Sequence, residues 1–281
     1  MTTACLSEDA LSFVCTLVRR QAAIELDASK SYLIDARLAP LAKKNGLASA
    51  AEFIHMVREK RHPGLESQLV EAMTTNETSF FRDLHPFDAL RKHILPSLTP
   101  ILAPARALNV WSAACSTGQE LFSVAMLLRE HCPEMAAWKL RLLGTDISDE
   151  VLTRARAASF TQIEVNRGLP APLLVKYFQR KGARWELRPE ITAMAEFRKL
   201  NLVEPWTCMP RMDVVFLRNV LIYFAPETKK QILRKVREIM APHAVLFLGA
   251  AESTLNLDDN FERVPIDGSV YYRLKQGNSR S

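Results

Sequence analysis

Short apolar segments alternate with helical patterns from residue 107 to residue 248, and this alternation is the strongest constraint on the fold. The strand-like segments are Ala107–Trp111, Leu140–Leu143, Phe197–Leu202, Val214–Leu217 and Ala244–Leu248. The helical segments are Gln119–Glu130, Asp149–Ala157 and Glu227–Met240, the last opened by Pro226. This alternation predicts a parallel sheet covered by helices on both faces. A hairpin across Asp267-Gly268, which pairs Glu262–Val264 with Val270–Leu274, is expected to add antiparallel strands at one edge.

The first 75 residues have a different pattern, in which apolar side chains recur at helical spacing. The stripes are Leu11, Val14, Val18 and Ile24, then Tyr32, Leu33, Leu38 and Leu41, then Phe53, Ile54 and Val57, and finally Leu65, Leu69 and Met73. We predict a helical N-terminal domain over residues 1–75, a linking segment over 76–106 and a second domain over 107–281. Pro96, Pro100 and Pro104 are expected to break any helix near residues 98–106. A small antiparallel extension is predicted at about 178–200, from the segments WELRPEI and AEFRKLNL.

Composition narrows the class of protein. With 281 residues and 48% hydrophobic content, the chain can form one large and one small domain. Glu8 and Asp9 stand where a secretory signal would be basic and then apolar, and no apolar stretch reaches bilayer length, so we expect a soluble, cytoplasmic protein. The five cysteines lack CxxC spacing and the six histidines are dispersed, which indicates neither a disulfide framework nor a metal site.

The net charge of +6 suggests an acidic partner, but its sign alone cannot distinguish nucleic acid, a membrane surface or an anionic protein. Residues 30 to 61 include seven cationic and three acidic side chains. This excess is either a solvated helix face or a surface for an acidic partner. The candidate contact residues for such a partner are Lys30, Arg37, Lys43 and Lys44.

Ligands of a parallel sheet bind beyond the carboxyl ends of its strands, so the residues that follow each apolar run are the informative ones. After the first strand, small side chains lead to Glu120, without the spacing of a dinucleotide or triphosphate loop. A carboxylate there would repel a phosphate and suits an ammonium group. Asp146, after the second strand, either accepts hydrogen bonds from a ribose or caps the next helix together with Ser148.

Amide side chains follow the next two strands, at Asn201-Leu202 and within Arg218–Phe224. They could contact an adenine edge or an amino-acid group, with apolar neighbours as walls. The strand ends together therefore favour a nucleoside that carries an amino acid, a description that fits S-adenosylmethionine.

The segment NETSFFRD, residues 76–83, surrounds two phenylalanines with polar and charged side chains at the end of a helical pattern. It is either a helix end followed by a buried aromatic anchor or a segment that presents Asn76, Thr78 and Arg82 to a ligand.

Several motifs together resemble those of the chemotaxis receptor methyltransferases, the CheR family. They are TTNETSFFRD at 74–83, WSAACSTGQE at 111–120, GTDIS at 144–148, KLNL at 199–202 and FLRNVLIYF at 216–224. The resemblance implies a Rossmann-like class I S-adenosylmethionine-dependent methyltransferase domain with a small all-α N-terminal domain and a small antiparallel β-subdomain. It also implies methylation of glutamate side chains on the cytoplasmic helical domain of methyl-accepting chemotaxis receptors, with residues 76–106 partly covering the cofactor.

Carried over motif by motif, the resemblance assigns a set of residues to the cofactor. They are Asn76, Thr78, Arg82, Ala113, Glu120, Asp146, Asn201, Leu202, Asn219 and Val220. Arg82 and Tyr223 resemble the residues proposed to act at the methyl-transfer centre. A glutamate acceptor has a reference pKa near 4.3 and is already an anion at neutral pH, so no general base is required.

The sequence also gives expectations about tether dependence, oligomeric state and the alternative functions. The stretch Gln179–Arg184 (QRKGAR) is short and has one glycine, which favours an enzyme that does not depend on a C-terminal pentapeptide tether of the receptor. A monomer is expected, without nucleic-acid binding or membrane insertion. The alternatives are a catalytically silent receptor-binding module and an RNA methyltransferase, although Asn219–Ile222 lacks the prolines of an [DN]PP[YF]-like motif.

Overall fold

The computed structural model describes residues 6–27, 31–59 and 64–275, which form two compact units. The helical unit comprises the residues up to Thr75 together with Tyr223–Thr228. The sheet unit comprises Asn76–Ile222 and the residues from Lys229 onward. No helix within the described ranges is both long enough and apolar enough to cross a lipid bilayer.

Four helices make up most of the helical unit. They are α1 (Glu8–Ala22), α2 (Ser31–Lys44), α3 (Ala50–Arg58) and α4 (Leu65–Met73). Ser7 and Ser49 start α1 and α3, because their hydroxyl oxygens accept backbone N–H groups of the first turn. The predicted stripes of α1, α3 and α4 are buried, and this includes Ile24, which lies beyond the end of α1 and bridges to Phe224.

The predicted stripe of α2 is wrong in part. Tyr32 and Leu33 are 66% and 41% exposed, and the buried face consists of Ile34, Leu38 and Ala42. These three residues are spaced by four and lie on one side of a helix, whereas Tyr32 and Leu33 lie one or two positions earlier and point away from it.

The described residues of the sheet unit form ten strands in two sheets. The strands are β1 (Ala107–Ala113), β2 (Lys139–Asp146), β3 (Ser159–Thr161), β4 (Phe178–Lys181), β5 (Arg184–Leu187), β6 (Ala195–Lys199), β7 (Met212–Leu217), β8 (Met240–Leu248), β9 (Phe261–Ile266) and β10 (Ser269–Leu274). The large sheet has the order β6-β2-β1-β7-β8-β10-β9. Its first five strands are parallel, and β10 pairs antiparallel with both β8 and β9. The predicted parallel sheet with an antiparallel hairpin at one edge is therefore confirmed.

Among the described residues, eight further α-helices follow α4; the first two precede β1 and the other six connect the strands. They are α5 (His85–Ala89), α6 (Leu95–Leu102), α7 (Gln119–His131), α8 (Asp149–Ala157), α9 (Gln162–Asn166), α10 (Ala171–Tyr177), α11 (Pro189–Thr192) and α12 (Pro226–Ile239). Aromatic side chains between the layers are fully buried, and Phe216 stacks on Phe247 with ring centres 5.0 Å apart.

The expectation that prolines break any helix near residues 98–106 is wrong. Helix α6 contains Pro96 in its first turn and Pro100 in its interior, and it continues to Leu102. A π-helical turn over Leu90–Ile94 directly precedes it. Proline lacks an N–H group, and a first-turn position does not need one, which explains how Pro96 is accommodated.

The small antiparallel sheet is present, but its boundaries differ from the prediction. It has the order β3-β5-β4 and includes residues from 159, whereas AEFRK forms β6, a parallel edge strand of the large sheet. The reason lies in Phe197, whose ring packs edge-to-face against Phe122 of α7 with centres 5.5 Å apart. This contact holds the strand on the main core.

Candidate active site at the carboxyl edge of the sheet

Strands β6, β2, β1 and β7 are parallel neighbours, so the residues that follow them lie along one edge of the large sheet. Ala113 and Asp146 are the last residues of β1 and β2, and Asn219 comes two residues after the end of β7. The sequence-predicted cofactor residues after these strands therefore share the edge where ligands of such sheets bind.

The loop after β1 is fixed to the end of β2 through its backbone. Ala114 and Ser116 have positive φ angles of 57° and 50°, a conformation that turns the chain tightly before α7. The Cys115 N–H donates to the Thr145 carbonyl oxygen at 2.8 Å, and the Ser116 N–H donates to Asp146 Oδ2 at 2.9 Å. Burial raises the pKa of the Cys115 thiol well above its usual range, so it is a packed, protonated side chain.

Asp146 orients two loops and is not the cap of the following helix. Its side chain accepts the N–H of Ser116 on one oxygen and that of Ser148 on the other, the latter at 3.1 Å. Ser148 caps α8, since its hydroxyl oxygen accepts the Val151 N–H. Asp146 is only 6% exposed, which places a nearly buried carboxylate at the carboxyl end of β2.

Glu120, in the first turn of α7, belongs to a buried ionic cluster. Its Oε1 accepts the Ser112 hydroxyl at 2.8 Å, and its Oε2 accepts Arg218 Nη1 at 2.9 Å. The Arg218 side chain is 2% exposed and also donates to Asp83 Oδ2 at 2.6 Å and to the Arg82 carbonyl oxygen at 3.0 Å. Glu120, Arg218 and Asp83 thus form one network, which we call the Arg218 cluster.

Arg218 is a supporting residue of the candidate site that was not predicted from the sequence. The sequence signal for it is the position of a cationic residue directly after the apolar segment that forms the buried strand β7. A cation in such a buried place needs anionic partners. Those partners lie 98 and 135 residues away along the chain.

The interpretation of NETSFFRD as a buried aromatic anchor is confirmed, whereas the presentation of Asn76, Thr78 and Arg82 to a ligand stays a prediction. Phe80 is a buried anchor, packed edge-to-face on Phe160 and Phe178 with ring centres at 5.0 and 5.6 Å. The next residues leave regular geometry, because Phe81, Asp83 and Leu84 all have positive φ angles, of 46°, 66° and 42°. Such angles in residues other than glycine are costly and persist only where surrounding contacts fix them.

Those contacts come from α7 and from the Arg218 cluster. The Phe81 N–H donates to the Ser123 hydroxyl at 2.9 Å, while Arg218 holds both the carbonyl oxygen of Arg82 and the carboxylate of Asp83. The strained turn is thereby anchored to the sheet unit on two sides.

The polar members of this segment have distinct surroundings. The Asn76 carbonyl oxygen accepts the Ser116 hydroxyl at 2.8 Å, which joins the segment to the loop after β1. Arg82 Nη1 donates to the Glu77 carbonyl oxygen at 2.9 Å, and Thr78 is half-buried. Glu77 itself pairs with Arg167, and this hydrogen bond lowers the pKa of the Glu77 carboxyl.

Asn201 and Leu202 form a turn after β6. The Asn201 side chain accepts the Val203 N–H at 3.2 Å and donates to Glu204 at 3.1 Å. Lys235 donates to the carbonyl oxygens of Leu202 and Glu204, and burial lowers the pKa of its ammonium group. The turn is therefore supported from α12.

Val220 follows Asn219 after β7, and the remaining predicted residues lie in the helical unit or outside the described ranges. Tyr223 is half-buried, and its carbonyl oxygen accepts the Glu25 N–H at 3.0 Å. Arg37 donates to the Met73 carbonyl oxygen at 2.6 Å and to the Thr75 hydroxyl at 2.9 Å, so it supports the end of α4. Lys43 and Lys44 are exposed in the last turn of α2, and Lys30 lies outside the described residues.

The charges at the edge fit a cationic nucleoside better than a nucleotide. Asp83, Glu120 and Asp146 supply three carboxylates, and the guanidinium of Arg218 pairs with the first two of them. Such a donor set repels phosphates and suits the sulfonium and ammonium groups of S-adenosylmethionine. Across the described part of the chain, no group of three or more histidine, cysteine, aspartate or glutamate side chains is placed to hold a metal ion.

Family models and individual relatives both match this chain to the same family. Residues 76–270 match the family described as CheR methyltransferase, SAM binding domain, and residues 9–74 match the CheR methyltransferase, all-alpha domain. Chemotaxis protein methyltransferase 1 of Pseudomonas aeruginosa is 38% identical over 257 residues, which is 90% of this chain and 93% of that protein. Chemotaxis protein methyltransferase 1 of Vibrio cholerae is 34% identical over 98% of this chain and 100% of its own.

Proposed function

Because the chain belongs to the CheR methyltransferase family, we propose that it methylates glutamate side chains of chemotaxis receptors. It is an S-adenosylmethionine-dependent methyltransferase of chemotaxis, as its family and its named relatives indicate. The products under this proposal are glutamate methyl esters and S-adenosylhomocysteine. The observation that supports it most directly is the match of residues 9–74 and 76–270 to the two domains of this family, and the carboxylates of the Arg218 cluster and Asp146 suit its cationic cofactor.

We assign the cofactor to the edge of the sheet unit. Asp146 would accept hydrogen bonds from the ribose, and Glu120 would attract the ammonium group of the methionine part. The other residues assigned to the cofactor are Asn76, Thr78, Arg82, Ala113, Asn201, Leu202, Asn219 and Val220. When bound, S-adenosylmethionine supplies the methyl group on a positively charged sulfur.

The protein's own contribution to the chemistry would be orientation and exclusion of water rather than proton transfer. A glutamate acceptor is ionised at neutral pH and needs no base. Opposite charges cancel as the methyl group moves to a carboxylate, so a site that excludes water should favour the reaction. We assign Tyr223 to hydrogen-bond and aim the acceptor carboxylate, and Arg82 to hold the cofactor or guide the acceptor.

The partner proposed for the helical unit is the cytoplasmic helical domain of a chemoreceptor. Helix α2 carries exposed Lys43 and Lys44 at its end and exposed Tyr32 and Leu33 at its start, a combination that suits an acidic helical surface. Arg37 is engaged with α4, so we expect it to support this surface rather than to pair with the partner.

We also propose that the enzyme does not require a pentapeptide tether on its receptor. Strands β4 and β5 are joined by only two residues, Gly182 and Ala183, which leaves no longer loop to enclose a peptide. A titration with such a pentapeptide should give no saturable binding, and micromolar binding would contradict this proposal.

The decisive assay is transfer of labelled methyl groups from S-adenosylmethionine to receptor-containing membranes. We expect a base-labile methyl ester on the receptor. Label on added RNA would support the RNA methyltransferase alternative, and bound S-adenosylhomocysteine without any labelled product would support a silent receptor-binding module.

The role of Tyr223 can be tested in the same assay. Tyr223→Phe should lower turnover at least tenfold with less than a twofold change in affinity for S-adenosylhomocysteine, since only the hydroxyl is lost. Tyr271→Phe, in the terminal hairpin, is the matched control and should leave both quantities unchanged. Equal turnover of the two variants would contradict the assignment.

A further inference from the structure

Glu252 follows the last parallel strand and binds four backbone N–H groups with one carboxylate. Its Oε2 accepts the N–H of Gly249 at 2.7 Å and of Asn219 at 2.8 Å. Its Oε1 accepts the N–H of Val220 at 2.8 Å and of Ile222 at 3.3 Å. Three of these four donors belong to the segment after β7, which is 30 to 33 residues away in the chain.

The segment after β7 needs such a partner because its N–H groups have left the sheet. Strand β7 ends at Leu217, and Asn219 has a φ angle of 57°, so the chain turns before a short 3₁₀ helix at Leu221–Tyr223. N–H groups at the start of a helical turn lack partners within it and form a concave anion-binding arrangement. Glu252 supplies the anion from within the chain.

We infer that Glu252 is a positioning residue for the cofactor, which acts by fixing the backbone of Asn219 and Val220. This inference rests on the proposed assignment of these two residues to the cofactor. Glu252 does not itself need to touch the cofactor for the effect, because it sets the backbone angles from which the Asn219 side chain projects.

Gly249 provides an independent reason to regard this arrangement as tightly fitted. A Cβ atom at Gly249 would lie 2.7 Å from both Glu252 Oε2 and Asn219 Nδ2, and 2.8 Å from the Asn219 backbone nitrogen. Any side chain at this position would push Asn219 and Glu252 apart. Gly249→Ala therefore disturbs the same contact without changing a charge.

The test uses Glu252→Gln and Gly249→Ala, with Glu262→Gln as a matched control. The glutamine amide would turn an N–H donor toward the backbone donors in place of one acceptor oxygen. Glu262 pairs with Arg273 on the terminal hairpin, where its side chain is 45% exposed. Affinity for S-adenosylhomocysteine is measured by calorimetry, at a temperature at which thermal unfolding shows each variant to be fully folded.

We expect both test variants to raise the dissociation constant at least tenfold, while Glu262→Gln stays within twofold of the wild type. In steady-state assays KM for S-adenosylmethionine should rise by a similar factor, with kcat at saturation changed less than threefold. A residue that only stabilises the fold would lower the melting temperature without this division between KM and kcat.

A dissociation constant within twofold of the wild type in the folded variants would overturn the inference. Should Glu252→Gln fail to fold, Gly249→Ala decides the question. Failure of the wild type to bind S-adenosylhomocysteine would instead overturn the proposed cofactor assignments, and this inference with them.

Discussion

Replacing Arg218 with methionine should destabilise the sheet unit far more than removal of an exposed arginine. Methionine retains most of the length and apolar contacts of the stem but removes the charge and every donor. The change leaves the nearly buried Glu120 carboxylate without its cation, because the Glu120 side chain is only 12% exposed.

The expected loss in the free energy of unfolding depends on how deeply Glu120 and Asp83, the two carboxylate partners of Arg218, are buried. Removing one member of a buried ion pair costs about 3–5 kcal/mol, since the other charge stays desolvated. Asp83 is 47% exposed and can be rehydrated, so its share is at most about 1 kcal/mol. Glu120 retains its hydrogen bond from Ser112, which moderates the effect. We therefore expect a loss of about 3 kcal/mol in the free energy of unfolding.

Urea unfolding followed by tryptophan fluorescence reports the loss of free energy of unfolding in the sheet unit. All four tryptophans, at positions 111, 138, 185 and 206, belong to the sheet unit. With a typical urea dependence of about 1–3 kcal/mol per molar, the midpoint should fall by about 1 M or more.

Two comparisons make the result interpretable. Arg273→Met removes an exposed pair with Glu262, in which the arginine side chain is 52% exposed, and should cost less than about 1 kcal/mol. Adding Glu120→Gln to Arg218→Met should recover part of the loss, because the stranded charge disappears. If Arg218→Met costs no more than Arg273→Met, the buried cluster does not stabilise the unit and the reasoning is refuted.

Two further predictions concern the same unit. Asp146→Ala should raise the dissociation constant for S-adenosylhomocysteine at least tenfold, and calorimetry that shows unchanged affinity would remove the ribose assignment. Gly168→Ala should lower the unfolding midpoint much more than Gly182→Ala. Both glycines have positive φ. A Cβ at Gly168 would lie 2.1 Å from the Phe80 carbonyl oxygen, whereas a Cβ at Gly182 would have no neighbouring atom within 4 Å. An equal decrease in the unfolding midpoint of both variants would show that the positive φ angle alone, and not the contact with Phe80, determines the loss of stability.

The sheet was predictable because most of its parallel strands are largely buried and contain a short apolar run that stands out in the sequence. Val214–Leu217 and Ala244–Leu248 both lie inside longer observed strands, and the terminal hairpin was recognised from Asp267-Gly268. The edge strand β6 was harder, since its burial is only partial and its assignment depends on the contact of Phe197 with α7.

The face of α2 could not be read from apolar residues alone. Tyr32 and Leu33 look like core residues in the sequence, yet they are exposed, while Ala42 is buried. Only the packing partners of a helix decide which of several apolar stripes faces inward.

The sequence predicted which strand ends lie at the candidate site but not the residues that support them, and cofactor binding at these strand ends stays a prediction. Asp146 and Asn219 could be named because parallel topology brings the carboxyl ends of neighbouring strands to one edge. Apart from Gly249, the partners of Arg218 and Glu252 are 30 to 136 residues away, and many of them are backbone atoms. No residue type or spacing in the sequence marks a backbone carbonyl or amide that lacks a partner.

The supporting residues follow from a physical requirement of the edge itself. The segments after Phe80, after β6 and after β7 leave regular secondary structure, so their backbone polar groups need partners that the sheet cannot supply. Arg218 supplies donors to the strained turn after Phe80, Lys235 supplies them to the turn at Leu202, and Glu252 supplies acceptors after β7. Long charged side chains can reach such groups from neighbouring elements and bind them strongly. An edge that must present irregular backbone to a ligand therefore depends on charged residues that need not contact that ligand.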